Sequence, residues 1–250
     1  MKVYRVVVPK DKLFAMPEAE RVLLIQLGHL CNELSFFNKL LLFTSDLNTR
    51  GVERYAMVTQ SMIVARVFIG KIFEAWRMME RDFFGSRLSK ELEPALSEDG
   101  KQALSTLKVH FGQSNLISRI RNTYSFHYAS DNIESTLRSL SGDKTFEAFL
   151  GENYSNTLHY FCEEIVSSGM LTVSGETDPQ RAMDRIIGEL VEVSGHFIDF
   201  TGHTMAAIFE RHFGQSWADF ETEELEVAAP SSLDSFKIPF FIHRGAENGT

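Results

Sequence analysis

Met62-Ile63-Val64-Ala65-Arg66-Val67-Phe68-Ile69-Gly70-Lys71-Ile72-Phe73-Glu74-Ala75-Trp76 is the stretch on which the fold turns. Its large apolar residues, Met62, Ile63, Ile69, Ile72, Phe73 and Trp76, continued by Phe83, do not gather on one narrow stripe of a helix. A helix covered by neighbours on more than one side has this pattern. The spacing predicts a helix over about Val52 to Phe84, the longest of the chain and the centre of a bundle. The most apolar part, Met62 to Phe73, is broken by Arg66 and Lys71. That leaves it well short of the ~20 apolar residues a membrane span requires.

Upstream, Met16-Pro17-Glu18 opens a helix with proline at the first turn and acids beside its N-terminus. Leu23, Leu24, Leu27, Leu30, Leu34, Phe37 and Leu41 carry it to about Phe43 at a 3–4 spacing, and the polar segment Thr44 to Gly51 turns the chain back. Before it, the β-branched Val3 to Val8, closed by Pro9, reads as a short strand.

Downstream, the pattern predicts a short helix near Leu88–Leu96, a break at Ser97–Gly100 and a helix over Lys101–Phe111. Helical pieces follow over Asn115–Asn122 and Asn132–Leu140, then a helix over Phe146–Gly169. Asp178-Pro179 supplies an N-cap and a proline at the first helical position. The helix it opens runs to about Phe213, where Gly214 caps it. From Glu221 the chain changes character: an acidic start, an Ala228-Ala229-Pro230-Ser231-Ser232 linker, then the apolar Phe236–Ile242, a partner for the Val3–Val8 strand or for a neighbouring subunit. We therefore expect an all-α, up-and-down helical bundle over residues 1–220, with a short N-terminal strand, and an extended tail over 221–250, partly docked or disordered.

Composition agrees. Of 250 residues, 44% are hydrophobic and only six are proline, which suits long uninterrupted helices. Cys31 and Cys162 lie in apolar patterns and read as small buried hydrophobes of a reducing compartment. With no signal-peptide pattern at the N-terminus, the expected location is cytoplasmic and the expected membrane contact none. A formal net charge of −9 argues against sequence-blind adhesion to nucleic acid, which needs a basic surface.

Chemistry concentrates in Arg121-Asn122-Thr123-Tyr124-Ser125-Phe126-His127-Tyr128. Arginine keeps its proton, whereas histidine titrates near neutrality. One can hold a phosphate while the other moves protons. On a continuous helix six steps place Arg121 and His127 about 120° apart, so the chemistry needs the helix to bend or end after Asn122. Thr123, Tyr124 and Ser125 are weaker helix formers and permit this. RNA suits such a site because its 2′-hydroxyl is a built-in nucleophile. Arg121 would stabilise charge on the phosphorane, His127 would serve as acid or base, and Asn122 would orient one of them. Arg119 and Tyr128 would bind substrate, the tyrosine by stacking on a base. A twofold homodimer bringing two motifs together would supply both an acid and a base.

Arg121-Asn122-x(4)-His127 resembles the Arg-x(4–6)-His motif of the HEPN superfamily, in which a polar residue often follows the arginine. The order of a long helical pair, a motif segment and further helices is also similar. The resemblance implies a compact helical bundle, a homodimer with the motif near its interface, and metal-independent endoribonuclease activity without a cofactor. It further implies a role in phage defence or as a toxin, with an antitoxin or regulatory protein as partner. The abortive-infection branch is the more similar one. Short toxins that pair with a nucleotidyltransferase usually carry His-x-Tyr, whereas here Tyr128 follows His127 directly. The contrasting expectation is a non-catalytic module of the same fold that binds protein or RNA. A purely structural motif is the other expectation: Arg121 caps a helix C-terminus and pairs with an acid, while His127 makes an interhelical hydrogen bond.

Glu192, His196, Asp199 and His203 follow steps of four, three and four along one helix face, which is metal-ligand spacing. No Glu-x-x-His pair supplies a second half, although Glu33 and His29 are candidates. A polar stripe at solvent or at a dimer seam is the favoured expectation, with no metal. Neither a P-loop nor a GxGxxG occurs.

Overall fold

The computed structural model describes residues 1–44, 49–125, 130–214, 222–227, 236 and 238–242. In chain order the elements are β1 (Lys2–Val6), α1 (Lys10–Ala15), α2 (Glu18–Phe43), α3 (Val52–Asp82), α4 (Arg87–Leu92), α5 (Glu98–Phe111), α6 (Leu116–Ile120), α7 (Ser130–Ser139), α8 (Tyr160–Thr172), α9 (Pro179–Phe213) and β2 (Thr222–Glu226). Single 3₁₀ turns occupy Glu93–Ala95 and Tyr154–Asn156, and a π-helical turn occupies Arg121–Ser125. The protein is an all-α helical bundle, with one two-stranded ribbon among the described residues.

α3 sits among α2, α6, α8 and α9, as its all-round apolar pattern requires. Phe68, Ile69 and Ile72 on α3, Leu27 and Leu34 on α2, and Leu190, Phe197 and Phe200 on α9 are wholly buried. Aromatic contacts tie the layers together. Phe68 stacks on Phe37, Trp76 on Phe111 at 4.6 Å between centroids, and Phe83 meets Phe200 edge-on. By length and composition α3 is the one helix among the described residues apolar enough to cross a membrane. Half of the qualifying 18-residue window is buried inside the bundle. The longest helix is α9, at 35 residues against 31 for α3. Asp178 caps it by accepting from the Arg181 N–H, and Gly214 ends it at φ 64°, a left-handed conformation glycine adopts without strain.

Four elements differ from expectation, the first being α1, a short helix ahead of α2 where none was expected. Ser97–Gly100 is not a break: the Ser97 hydroxyl accepts from the Gly100 N–H, so Glu98, Asp99 and Gly100 are the capped first turn of α5. Phe146–His159 is not helical. Gly151 is a poor helix former, and the Asn153 side chain takes the Asn156 N–H into a local turn. Phe149 and Leu158 then pair in an isolated antiparallel bridge, and the helix begins only at Tyr160. The partner of β1 is β2, not Phe236–Ile242. Lys2 faces Glu226 and Arg5 faces Glu223 in the antiparallel register, and ion pairs Lys2–Glu224 (2.7 Å) and Arg5–Glu223 (2.9 Å) match a basic strand to an acidic one.

The apolar tail segment docks elsewhere. The Phe236 ring lies 4.6 Å from that of Phe43, and Pro239–Phe241 line a cavity together with Met57 and Gln60 of α3. The Asn156 amide donates to the Ile242 carbonyl and accepts from its N–H. Of the two free cysteines, Cys31 is half-buried but Cys162 is exposed, because the real start of α8 turns that position outward.

Candidate functional site

The motif is launched by α6, a short helix whose N-terminal N–H groups are held by two side chains. Asn115 caps it by accepting from the Ser118 N–H at 2.8 Å, and Glu189 of α9 accepts from the Leu116 and Ile117 N–H groups at 2.9 and 3.2 Å. Leu116, Ile117 and Ile120 are buried beneath it. α-Helical winding then stops at Ile120, and Arg121–Ser125 forms a π-turn. The sequence calls for the helix to bend or end after Asn122; instead it continues through Ser125 with π winding that starts at Arg121, and His127 lies outside the described residues. The Thr123 hydroxyl donates back to the Arg119 carbonyl, and the Asn132 amide donates to the Thr123 carbonyl, which ties the turn to the first part of α7. Extra-residue turns of this kind recur at functional sites.

Arg121 is held by α3. Its guanidinium carbon lies 4.7 Å from the Phe73 ring centroid, and its Nη2 donates to Glu74 Oε1 at 2.9 Å. Its Nη1 lies 3.5 Å from Asn122 Oδ1, and its buried Nε–H meets no acceptor among the described residues. The side chain is 28% exposed and that of Glu74 is 56% exposed. The arginine is therefore oriented from below by an aromatic face and from one side by a carboxylate free to move. Asn122 and Arg119 are exposed on the same segment. His127 and Tyr128, the other two residues singled out in the motif, lie outside the described residues.

Tyr124 points inward instead. It packs against the core, and a Cβ built on Gly169 of α8 would come within 2.6 Å of its Cε1 and of Thr136 Oγ1. Only glycine at position 169 allows the π-turn, α7 and α8 to approach this closely. Beside it, Arg66 of α3 forms a two-pronged pair with Glu163 of α8, Nη2 to Oε2 at 2.9 Å. Both side chains are 13% exposed, and Ser167 donates to the same carboxylate.

The second constellation does not converge. His203 bonds Ser97 through Nδ1 at 2.9 Å, while Asp199 and Glu192 are exposed. His196 and Glu192 lie near enough to His110 of α5 to act on its charge. Burial pushes the His110 imidazole below its ordinary range, against the opposing pull of Glu189 and Glu192. Glu33 is taken by Lys71, with His29 at 3.7 Å. Among the described residues no three His, Cys, Asp or Glu side chains are grouped to hold a metal ion. His212 of α9 bonds the buried Glu20 of α2 across 192 positions.

Sequence reasoning missed Phe73, Glu74, Glu189 and Gly169, which all act on the motif from other helices. Only Phe73-Glu74 carried a local signal, an aromatic beside an acid on the central helix. No family model, curated protein or solved structure matches this chain.

Proposed function

We propose that the chain is a metal-independent endoribonuclease of HEPN type, acting in phage defence or as a toxin. The supporting observation is the π-turn that begins at Arg121 and keeps its guanidinium on Phe73, with the Asn122 carboxamide at its edge. Arg121 would receive the scissile phosphate. A planar fork already aimed, with an unused buried Nε–H beside it, loses little freedom on binding a phosphoryl oxygen. Glu74 would be the displaced counter-anion, since an exposed ion pair of this kind is worth only ~0–1 kcal/mol.

In the reaction His127 takes the 2′-hydroxyl proton or returns one to the leaving 5′-oxygen. The 2′-oxygen bonds to phosphorus and the 5′-oxygen–phosphorus bond breaks, which leaves a 2′,3′-cyclic phosphate. Asn122 positions phosphate or imidazole, and Arg119 and Tyr128 contact the rest of the strand. A homodimer with motifs apposed supplies the second proton-transfer group.

The test is cleavage of RNA by the purified chain in EDTA beside His127→Ala and Arg121→Ala, with product ends identified. Wild type alone should cleave and leave cyclic phosphate ends; cleavage that survives His127→Ala removes the assignment. The second reading, a helical module that binds without cleaving, draws on the Arg121–Glu74 pair and the net charge of −9. It predicts no cleavage and binding unaffected by His127→Ala.

A further inference from the structure

Between α3, α8 and the first turns of α9 lies a cavity of about 570 Å³, remote in sequence from the motif and in the size range of small-molecule sites. Its floor is apolar: Val58 and Met62 from α3, Leu171 from α8, Ala182 and Met183 from α9. Its wall is polar, but the charges there are already matched. Glu163 is held by the Arg66 fork and Ser167, Glu164 by Lys144 at 2.6 Å, and Glu176 by Arg185 at 3.4 Å. The Gln180 amide, which donates one N–H to Asp184, keeps its oxygen and second N–H as neutral hydrogen-bonding groups. A charged guest would leave water and find no free counter-charge, which is costly.

What remains for a ligand is the apolar floor, the rest of the Gln180 amide, the Ser168 and Thr177 hydroxyls, and the Tyr160 phenol. That phenol is pushed up by burial first and by Glu164 next, so it stays protonated at neutral pH and keeps its hydrogen-bond donor.

We propose that this cavity is a binding site for an uncharged, mainly apolar small molecule bearing one or two hydrogen-bonding groups. The inference stands apart from the ribonuclease reading, because none of the lining residues belongs to the motif.

N-phenyl-1-naphthylamine, a neutral aromatic probe with one N–H, tests this by fluorescence titration into the full chain. Its anionic counterpart 8-anilino-1-naphthalenesulfonate is run in parallel. The neutral probe should bind saturably, one per chain, and the sulfonate at least ~10-fold more weakly. Ser168→Trp, which fills the cavity from α8, should abolish binding; Leu171→Phe, a milder filling, should weaken it if the tryptophan variant does not fold. Ile187→Trp, in a neighbouring cavity of about 480 Å³ that shares only Val58, Gln180 and Met183, should leave binding unchanged. Equal affinity for the sulfonate, no saturable binding of the neutral probe, retention of binding in a folded Ser168→Trp protein, or loss in Ile187→Trp would each overturn the proposal.

Discussion

At the scale of residues, Arg121 carries two roles in one geometry. Phe73 and Glu74 orient its guanidinium, yet Glu74 also occupies an edge that a phosphate would use. Replacing that carboxylate by an amide keeps the shape and removes the competing charge. In a His127→Ala background, Glu74→Gln should tighten binding of a short labelled RNA by about two- to fivefold at low salt, the range expected of an exposed pair. Fluorescence anisotropy reads this directly, and no change in either Glu74→Gln or Arg121→Ala would take the guanidinium out of RNA binding. The arginine and its asparagine were legible in the sequence because their chemistry is local. Glu74 was not, since a carboxylate 47 positions upstream becomes a partner only once α3 and α6 are packed.

At the scale of elements, the contact of the π-turn, α7 and α8 at Gly169 sets where the motif sits. Gly169→Ala places a methyl in space held by Tyr124 and Thr136. Overpacking of this kind costs about 1–3 kcal/mol, readable as a lowered urea midpoint with unchanged helical circular dichroism. The α3–α8 pair behaves differently. Arg66→Met alone strands a nearly buried Glu163 and should destabilise by about 3–5 kcal/mol, while Arg66→Met with Glu163→Leu should recover most of that loss. Equal midpoints for the single and double variants would contradict this account. Long helices with a strong apolar pattern, α2, α3 and the capped α9, were readable from sequence to within two residues at either end. Phe146–His159 was not: its apolar residues mimic a helix, and an Asn153 turn with a single bridge to Phe149 overrides them.

At the scale of the whole molecule, stability should depend on pH through His110. Burial, the larger influence, and then His196 lower its pKa, while Glu189 and Glu192 raise it, and the net direction is downward. Because the folded pKa lies below the unfolded one, the folded state binds fewer protons. This stabilisation is complete above the unfolded value near ~6.5 and is lost as pH falls below it toward the folded value. Urea midpoints should fall between about pH 7.5 and pH 5.5, and His110→Gln should flatten the decline; an equal slope in both proteins would rule His110 out. His110 is linked to the segment that leads into the motif only through Glu189, which neighbours it and pins the first turn of α6.

The sequence by itself determined the helical class, the central position of α3 and the capped limits of α9. Each follows from local periodicity, capping chemistry or propensity. Tertiary structure alone decided that β1 pairs with acidic β2, that Glu74 and Phe73 hold Arg121, that His203 turns to Ser97 while Glu192 and His196 lie near His110, and that a charge-matched cavity opens between α3, α8 and α9. Those outcomes depend on which helix faces meet, and a linear pattern specifies that a face is buried without specifying against what.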